Sequence, residues 1–376
     1  MNRFIPYGKH SVSSEDLKEV NDVLSSDWII SGPKVAEFED AVAKYCGVKY
    51  GIAVSSGTAA LDIAIQALNL PAGSEIITTP FTFIATINSI LFNNLTPILV
   101  DILPDTYNID PQSIRKKITA NTRAILYVNY AGQPCDIKNI QQIAREHNLF
   151  LIEDSAQALG AEYNGRKIGG FADLTILSFH PVKHITTGEG GMVITNDKYF
   201  NEKLKILRNH GINKEARERL GPNADWSYDI TSLARNYRIT DFQAALGLSQ
   251  LKKLEYFLKR RREIAQKYDQ ELQNCSNIVT PVVRSEVQSA WHLYPILIQN
   301  YDRNLLFRKM REKGIGVNVH HIPPYHFTYH QRFGWKAEDY PVTESVFRRT
   351  LTLSIYPSLT EEEQDYIIQT IKEILK

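Results

Sequence analysis

Short apolar runs alternate with amphipathic segments through the first half of this 376-residue chain, and that alternation narrows the fold more than any other feature. Lys49–Val54 (KYGIAV), Glu75–Thr79 (EIITT), Pro97–Asp101 (PILVD), Ala124–Tyr130 (AILYVNY), Phe150–Asp154 (FLIED), Leu174–Phe179 (LTILSF) and Gly191–Thr195 (GMVIT) read as buried strands. Between them, SSGTAALDIAIQAL has a helical apolar period at Leu61, Ile65 and Leu68, and Phe83–Phe92 and Ile137–His147 are also helix-like. This order implies an α/β chain with a large, mostly parallel sheet covered by helices on both faces. Ligands of such sheets sit at the carboxyl ends of the strands, so Asp101, Tyr130, Asp154 and Phe179 mark where to look.

The pattern changes beyond a long charged helix at roughly Thr240–Asn274. A strand at His292–Ile298, a helix near Asn304–Lys313, an extended Val317–His321 and an amphipathic helix Glu361–Lys376 form an expected small α+β C-terminal domain. The expected division is residues 1–250 and 251–376. Lys plus Arg (43) nearly balance Asp plus Glu (42), so no net field favours a nucleic-acid partner. Cys46, Cys135 and Cys275 are odd in number and form no CxxC pair, as expected for reduced thiols in a cytoplasmic protein. The N-terminal residues lack an apolar core of signal-peptide length, and no apolar run is long enough to span a membrane.

The densest chemistry lies in Glu153–Gly191, EDSAQALGAEYNGRKIGGFADLTILSFHPVKHITTGEGG. Asp154 at a strand end can hold a protonated pyridine nitrogen, and Gln157 can hydrogen-bond a phenolic oxygen on the same ring. Ser178 can donate to a phosphate. Lys183, in a Thr- and Gly-rich loop, can form a Schiff base if its pKa is lowered. Taken singly, each has an ordinary structural explanation; together they suit a charged aromatic cofactor. Ser55–Thr58 (SSGT) stands at a strand-to-helix junction, where free N–H groups favour phosphate, Gly57 permits close approach and Thr58 adds a hydroxyl. Ser56 or Thr58 could equally be a plain helix cap. Phe83 in TPFTFIAT suits a ring-stacking aromatic, or a core residue at the start of a helix.

SSGTAAL, TPFTF, EDSAQALGAEYNGRKIGGFAD, SFHPVKHITTGEGG and RNYRITDFQAALGLSQL together resemble the DegT/StrS-type nucleotide-sugar aminotransferases, from Tyr7 to the C-terminus. The resemblance implies fold type I, pyridoxal 5′-phosphate cycling with pyridoxamine 5′-phosphate, and a homodimer with shared active sites. It assigns the Schiff base to Lys183, the pyridinium partner to Asp154 and the phenolic-oxygen contact to Gln157. It gives phosphate contacts to Thr58, Ala59 and Ser178, ring stacking to Phe83, and a phosphate contact from the other subunit to Asn236. Within the family, VNYAGQP, WHLYPI and the VHH segment are most similar to the transaminases of pseudaminic acid synthesis. Those move an amino group from glutamate to UDP-2-acetamido-2,6-dideoxy-β-L-arabino-hex-4-ulose. Tyr7, Asp27, Trp28, Ile29, Ile30, Gly57, Val319, His320, His321 and Ile322 would then face the UDP-sugar. The chain departs from the family at His321, where a tyrosine usually follows the histidine, and WIISGP is unusually apolar.

Three other readings have definite discriminators. Another nucleotide keto sugar, a UDP-4-keto-pentose, a dTDP-keto-hexose or a GDP-keto-hexose, would change the product mass. A dehydratase of the same fold carries histidine where this chain has Lys183. A non-catalytic sensor would retain cofactor without turnover. His320, His321, His326 and His330 have a spacing that metals use, but Pro323 and Pro324 interrupt the run and no acid or thiol lies within it, so no metal is expected.

Overall fold

The structure, a computed structural model, describes residues 4–214 and 226–376. The first part runs α1 (Ser14–Leu24), α2 (Pro33–Cys46), β1 (Tyr50–Val54), α3 (Gly57–Ala67), β2 (Glu75–Thr78), α4 (Ala85–Phe92), β3 (Thr96–Leu99) and α5 (Pro111–Lys117). It continues through β4 (Thr122–Val128), α6 (Ile137–His147), β5 (Phe150–Asp154), β6 (Glu162–Tyr163), β7 (Arg166–Lys167), β8 (Leu174–Ser178), β9 (Gly191–Thr195) and α7 (Lys198–Leu207). Next come α8 (Asp241–Leu251), α9 (Leu254–Leu272), β10 (Ile278–Val279), β11 (Val287–Gln288), β12 (Tyr294–Ile298) and α10 (Arg303–Glu312). The chain closes with α11 (Pro341–Arg349), β13 (Thr350–Leu353) and α12 (Glu361–Leu375).

Among the described residues, seven strands hydrogen-bond in the order β1-β9-β8-β5-β4-β2-β3. β3, β2, β4, β5 and β8 are mutually parallel; β9 runs against both β8 and β1. The sheet is therefore mostly parallel, with one reversed strand. Its strands are apolar along their length because both faces are covered. Ala53, Ile125, Leu177 and Ile194 pack on one side, and Val54, Leu126, Ile152 and Val193 on the other. A second apolar core, including Tyr268, Ile296, Leu351 and Ile367, surrounds the small sheet β10-β12-β13 and also takes in Ile5. Arg261 on α9 is fully buried and donates to the carbonyls of Trp291, His292 and Ile355. It thereby fixes the segment entering β12.

The strands and helices expected in the first half all occur, most with shifted ends. Phe150–Asp154, Gly191–Thr195 and Ile137–His147 match residue for residue. The single helix expected over Thr240–Asn274 is two, α8 and α9. Val317–His321 forms only a bridge, between Asn318 and Thr352. Asp101 lies just beyond β3 and caps α11, accepting from the Val342 and Thr343 N–H groups and the Thr343 hydroxyl, so it belongs to the scaffold. Among the described residues, no helix is long and apolar enough to cross a membrane.

Glu153, beside the candidate site, is wholly buried among β4, β5 and β8. It accepts from the Asn129 amide at 2.8 Å and the Thr175 hydroxyl at 2.9 Å. Burial outweighs these bonds and pushes its pKa up to about 7. Folded protein therefore binds this proton more tightly than unfolded protein does. The associated stability is complete below the unfolded carboxyl range and is lost as pH rises through about 7. Replacing Glu153 by Gln should flatten the decline in stability between pH 5 and 8 by about 3 kcal/mol, at roughly 1.4 kcal/mol per unit. Urea denaturation of both proteins across that range checks this.

Candidate active site

A cavity of 580 Å³ opens at the carboxyl edge of the sheet. Lys183 and Asp154 both line it. Lys183 lies in the β8–β9 connection, whose ends are pinned by Phe179 N–H to Gly190 O at 2.9 Å and Thr187 N–H to Phe179 O at 3.0 Å. Burial lowers the Lys183 pKa to about 8, against the opposing pull of Asp154. An amine with that pKa is half neutral at mildly alkaline pH, so it is available as a nucleophile. Burial raises the Asp154 pKa, opposed by the Thr86 hydroxyl, the Ala156 N–H and Lys183. The Thr86 hydroxyl donates to Asp154 Oδ2 at 2.8 Å, and Thr82 lies 2.8 Å behind Thr86.

The other end of the cavity is an anion cradle. Ser56 caps α3 by accepting from Ala59 N–H at 3.1 Å. Among the described residues, the Gly57 and Thr58 N–H groups find no acceptor, which leaves them at the positive end of the helix for an anion. Both residues line the cavity, with Ser178 beside them. A Cβ at Gly57 would come within 3.0 Å of Ser178 Cβ, so glycine is what allows α3 to begin this close to β8. The cap reading of Ser56 and the anion reading of Gly57 and Thr58 are thus compatible.

Phe83 is 60% exposed and lines the cavity, so it is not a core aromatic. Gln157, Tyr7, Val319, His320, His321 and Ile322 complete the lining predicted from sequence. His320 is held by Thr352 Oγ1 at 3.0 Å and packs on Tyr7. Burial lowers its pKa to about 4. Tyr130 ends its run beside this segment and donates its hydroxyl to His320 O at 2.7 Å. Phe179 is buried core rather than lining.

Some expected residues do not reach the cavity of their own chain. The Ala59 N–H is consumed by the Ser56 cap, and its side chain is buried. Asp27, Trp28, Ile29 and Ile30 are exposed on a loop tied to α8 through the Ile30–Thr240 bridge. Asn236 is exposed and bridged to Asn209. Conversely, sequence reasoning passed over Thr86 and His292. Thr86 follows Phe83 by three residues, a spacing that shares one face of a helical turn, and this was a readable signal. His292 reaches the cavity from WHLYPI with His184 behind it at 5.7 Å; burial holds both well below their ordinary pKa.

The lining suits pyridoxal phosphate. It supplies a depressed-pKa lysine, a buried carboxylate to face a ring nitrogen, an exposed aromatic face and an anion cradle within a volume typical of cofactor sites. His326 pairs with Glu344 and His330 with Asn88, away from His320 and His321. Among the described residues, no three potential metal ligands converge.

Comparison with known proteins agrees with this chemistry. Residues 10–372 match the model of the DegT/DnrJ/EryC1/StrS aminotransferase family. An uncharacterized protein of Methanocaldococcus jannaschii is 43% identical, over 99% of this chain and 98% of its own. The spore coat polysaccharide biosynthesis protein SpsC of Bacillus subtilis is 38% identical, over 100% and 98%. Among solved structures, Helicobacter pylori PseC, an aminotransferase of pseudoaminic acid biosynthesis, superposes with a TM-score of 0.93 at 32% identity, covering 99% of both chains. The Streptococcus pneumoniae protein Spr1654, solved in PMP and PLP forms, gives 0.94 and 0.93 at 31% identity; the PMP form is covered over 99% of both chains. The chain belongs to the DegT/DnrJ/EryC1/StrS aminotransferase family and is a pyridoxal-phosphate-dependent transferase of fold type I.

Proposed function

We propose that this enzyme transfers an amino group from glutamate to a UDP-linked 4-keto-6-deoxy sugar, UDP-2-acetamido-2,6-dideoxy-β-L-arabino-hex-4-ulose, giving the 4-amino sugar. The observation that carries amino transfer is Lys183 and Asp154 sharing one cavity with an anion cradle. The sugar rests on full-length similarity to PseC. Bound pyridoxal phosphate would supply an electron sink for the charge left when a C–H bond breaks. Lys183 would anchor the cofactor and, once released, carry a proton between two carbon atoms. Asp154 would hold the ring nitrogen, Gln157 the phenolic oxygen, Phe83 the ring face, and Thr58 with Ser178 the phosphate. Val319 and Ile322 would exclude water at the sugar end.

Lys183 is the sole Lys or Arg among the described lining residues. A pyrophosphate and the carboxylates of glutamate call for further positive charge, which a second subunit would bring. A homodimer with shared sites is part of this reading, with Asn236 and Asp27–Ile30 reaching the partner's cavity. We also keep a cytoplasmic location and the 1–250 and 251–376 domain division as part of this proposal. The test is a panel of UDP-, dTDP- and GDP-linked keto sugars with glutamate, read by mass spectrometry. Amination of the named UDP-hexulose at least tenfold faster than the rest is expected. Preference for a keto pentose or a dTDP-sugar would reassign the substrate, and loss of water without nitrogen gain would indicate dehydration.

A further inference from the structure

His321 Nε2 lies 3.0 Å from Gln157 Nε2. An amide nitrogen has no acceptor lone pair, so Gln157 donates and His321 accepts, with the imidazole proton assigned to Nδ1. The amide orientation is independently set, because Ala131 N–H donates to Gln157 Oε1 at 2.7 Å. One Gln157 N–H is left over, on a side chain that lines the cavity. The imidazole is held on several sides. Its ring meets Phe83 edge-on at 6.1 Å and Tyr130 at 6.2 Å, and the preceding carbonyl accepts from Tyr130. Burial keeps His321 neutral, its pKa pushed far down, with His320 and Lys183 the titratable groups facing it.

We propose that His321 is a positioning residue: by accepting from Gln157 it aims the remaining Gln157 N–H at the cofactor's phenolic oxygen, and its ring edge backs Phe83. The inference rests on the proposed placement of pyridoxal phosphate, and its test separates the two.

The readout is the pH midpoint of the visible absorption band of the holoenzyme. Loss of the linking nitrogen's proton leaves the phenolic oxygen its full charge, and an N–H donor favours that form. Weakening the donor therefore raises the midpoint. His321→Phe should raise it by about one unit, the size of one charge-assisted hydrogen bond. His321→Gln keeps an acceptor at similar reach and should restore it. Gln157→Leu should shift the midpoint as His321→Phe does, and the double variant should shift it no further. A Gln157→Leu shift with none in His321→Phe would overturn the inference, as would additive shifts in the double variant. A wild-type protein with no visible band, or a Lys183→Ala protein that keeps one, would instead overturn the cofactor placement beneath it.

Discussion

Lys183→Ala is expected to reduce amino transfer by roughly four orders of magnitude or more, because one residue is both covalent anchor and proton carrier. The purified variant should lack the visible band of the wild type. Borohydride reduction of wild-type holoenzyme should place the cofactor's mass on the peptide containing Lys183. Its pKa of about 8 adds a signed expectation. Only the neutral amine attacks an aldehyde, so cofactor loading into apo-protein should accelerate as pH rises toward 8 and level off above it. Turnover by Lys183→Ala at a tenth of the parent rate would refute the assignment. The backbone anchoring of the β8–β9 connection makes the comparison clean, since the bonds of Phe179 and Thr187 that pin it do not involve the Lys183 side chain.

Asp154→Ala is the second large effect, with kcat expected to fall by about 10²- to 10³-fold. A buried carboxylate is the natural partner for a ring nitrogen that must keep its proton; without it the ring becomes a poor electron acceptor. The cause should be chemical rather than structural. Burial already holds this carboxyl above its ordinary pKa, a cost that its removal relieves, while the Thr86 hydroxyl and the Ala156 N–H lose an acceptor. Thermal melting of the apo variant should therefore stay close to that of the wild type. Its cofactor absorption should still be present, which separates this loss from that of Lys183→Ala. Unchanged kcat with intact cofactor would refute the pairing.

Much of this site was readable because its parts are local. Asp154, Gln157, Ser178 and Lys183 lie in one window, and the apolar runs that carry them have unmistakable ends. What was hidden depended on distant parts of the chain. A fully apolar run such as Gly191–Thr195 carries no mark of its direction, so the reversal of β9 could not be seen. The charged stretch after Thr240 contains no proline or glycine between Leu251 and Leu254, so nothing local announced the break between α8 and α9. Asp101 shared its strand-end signature with Asp154, yet its partners lie far along the chain, at Val342 and Thr343. The Gln157–His321 contact joins residues 164 apart, and neither side chain advertises the other.

The arrangement β1-β9-β8-β5 acts as a ruler. The start of α3 follows β1, Ser178 ends β8 beside Gly191, and Asp154 ends β5 one strand farther over. One inter-strand step, about 5 Å at the usual spacing, separates the strand that ends in Ser178 at the anion end from the strand that ends in the acid. That span is written in ladder hydrogen bonds, so it cannot drift as loops lengthen or shorten around it. Descendants of such a chain can therefore exchange sugars by remodelling the rim while the gauge beneath stays constant. A one-residue slip of β8 would instead turn Ser178 to the opposite face and cost the enzyme its cofactor outright.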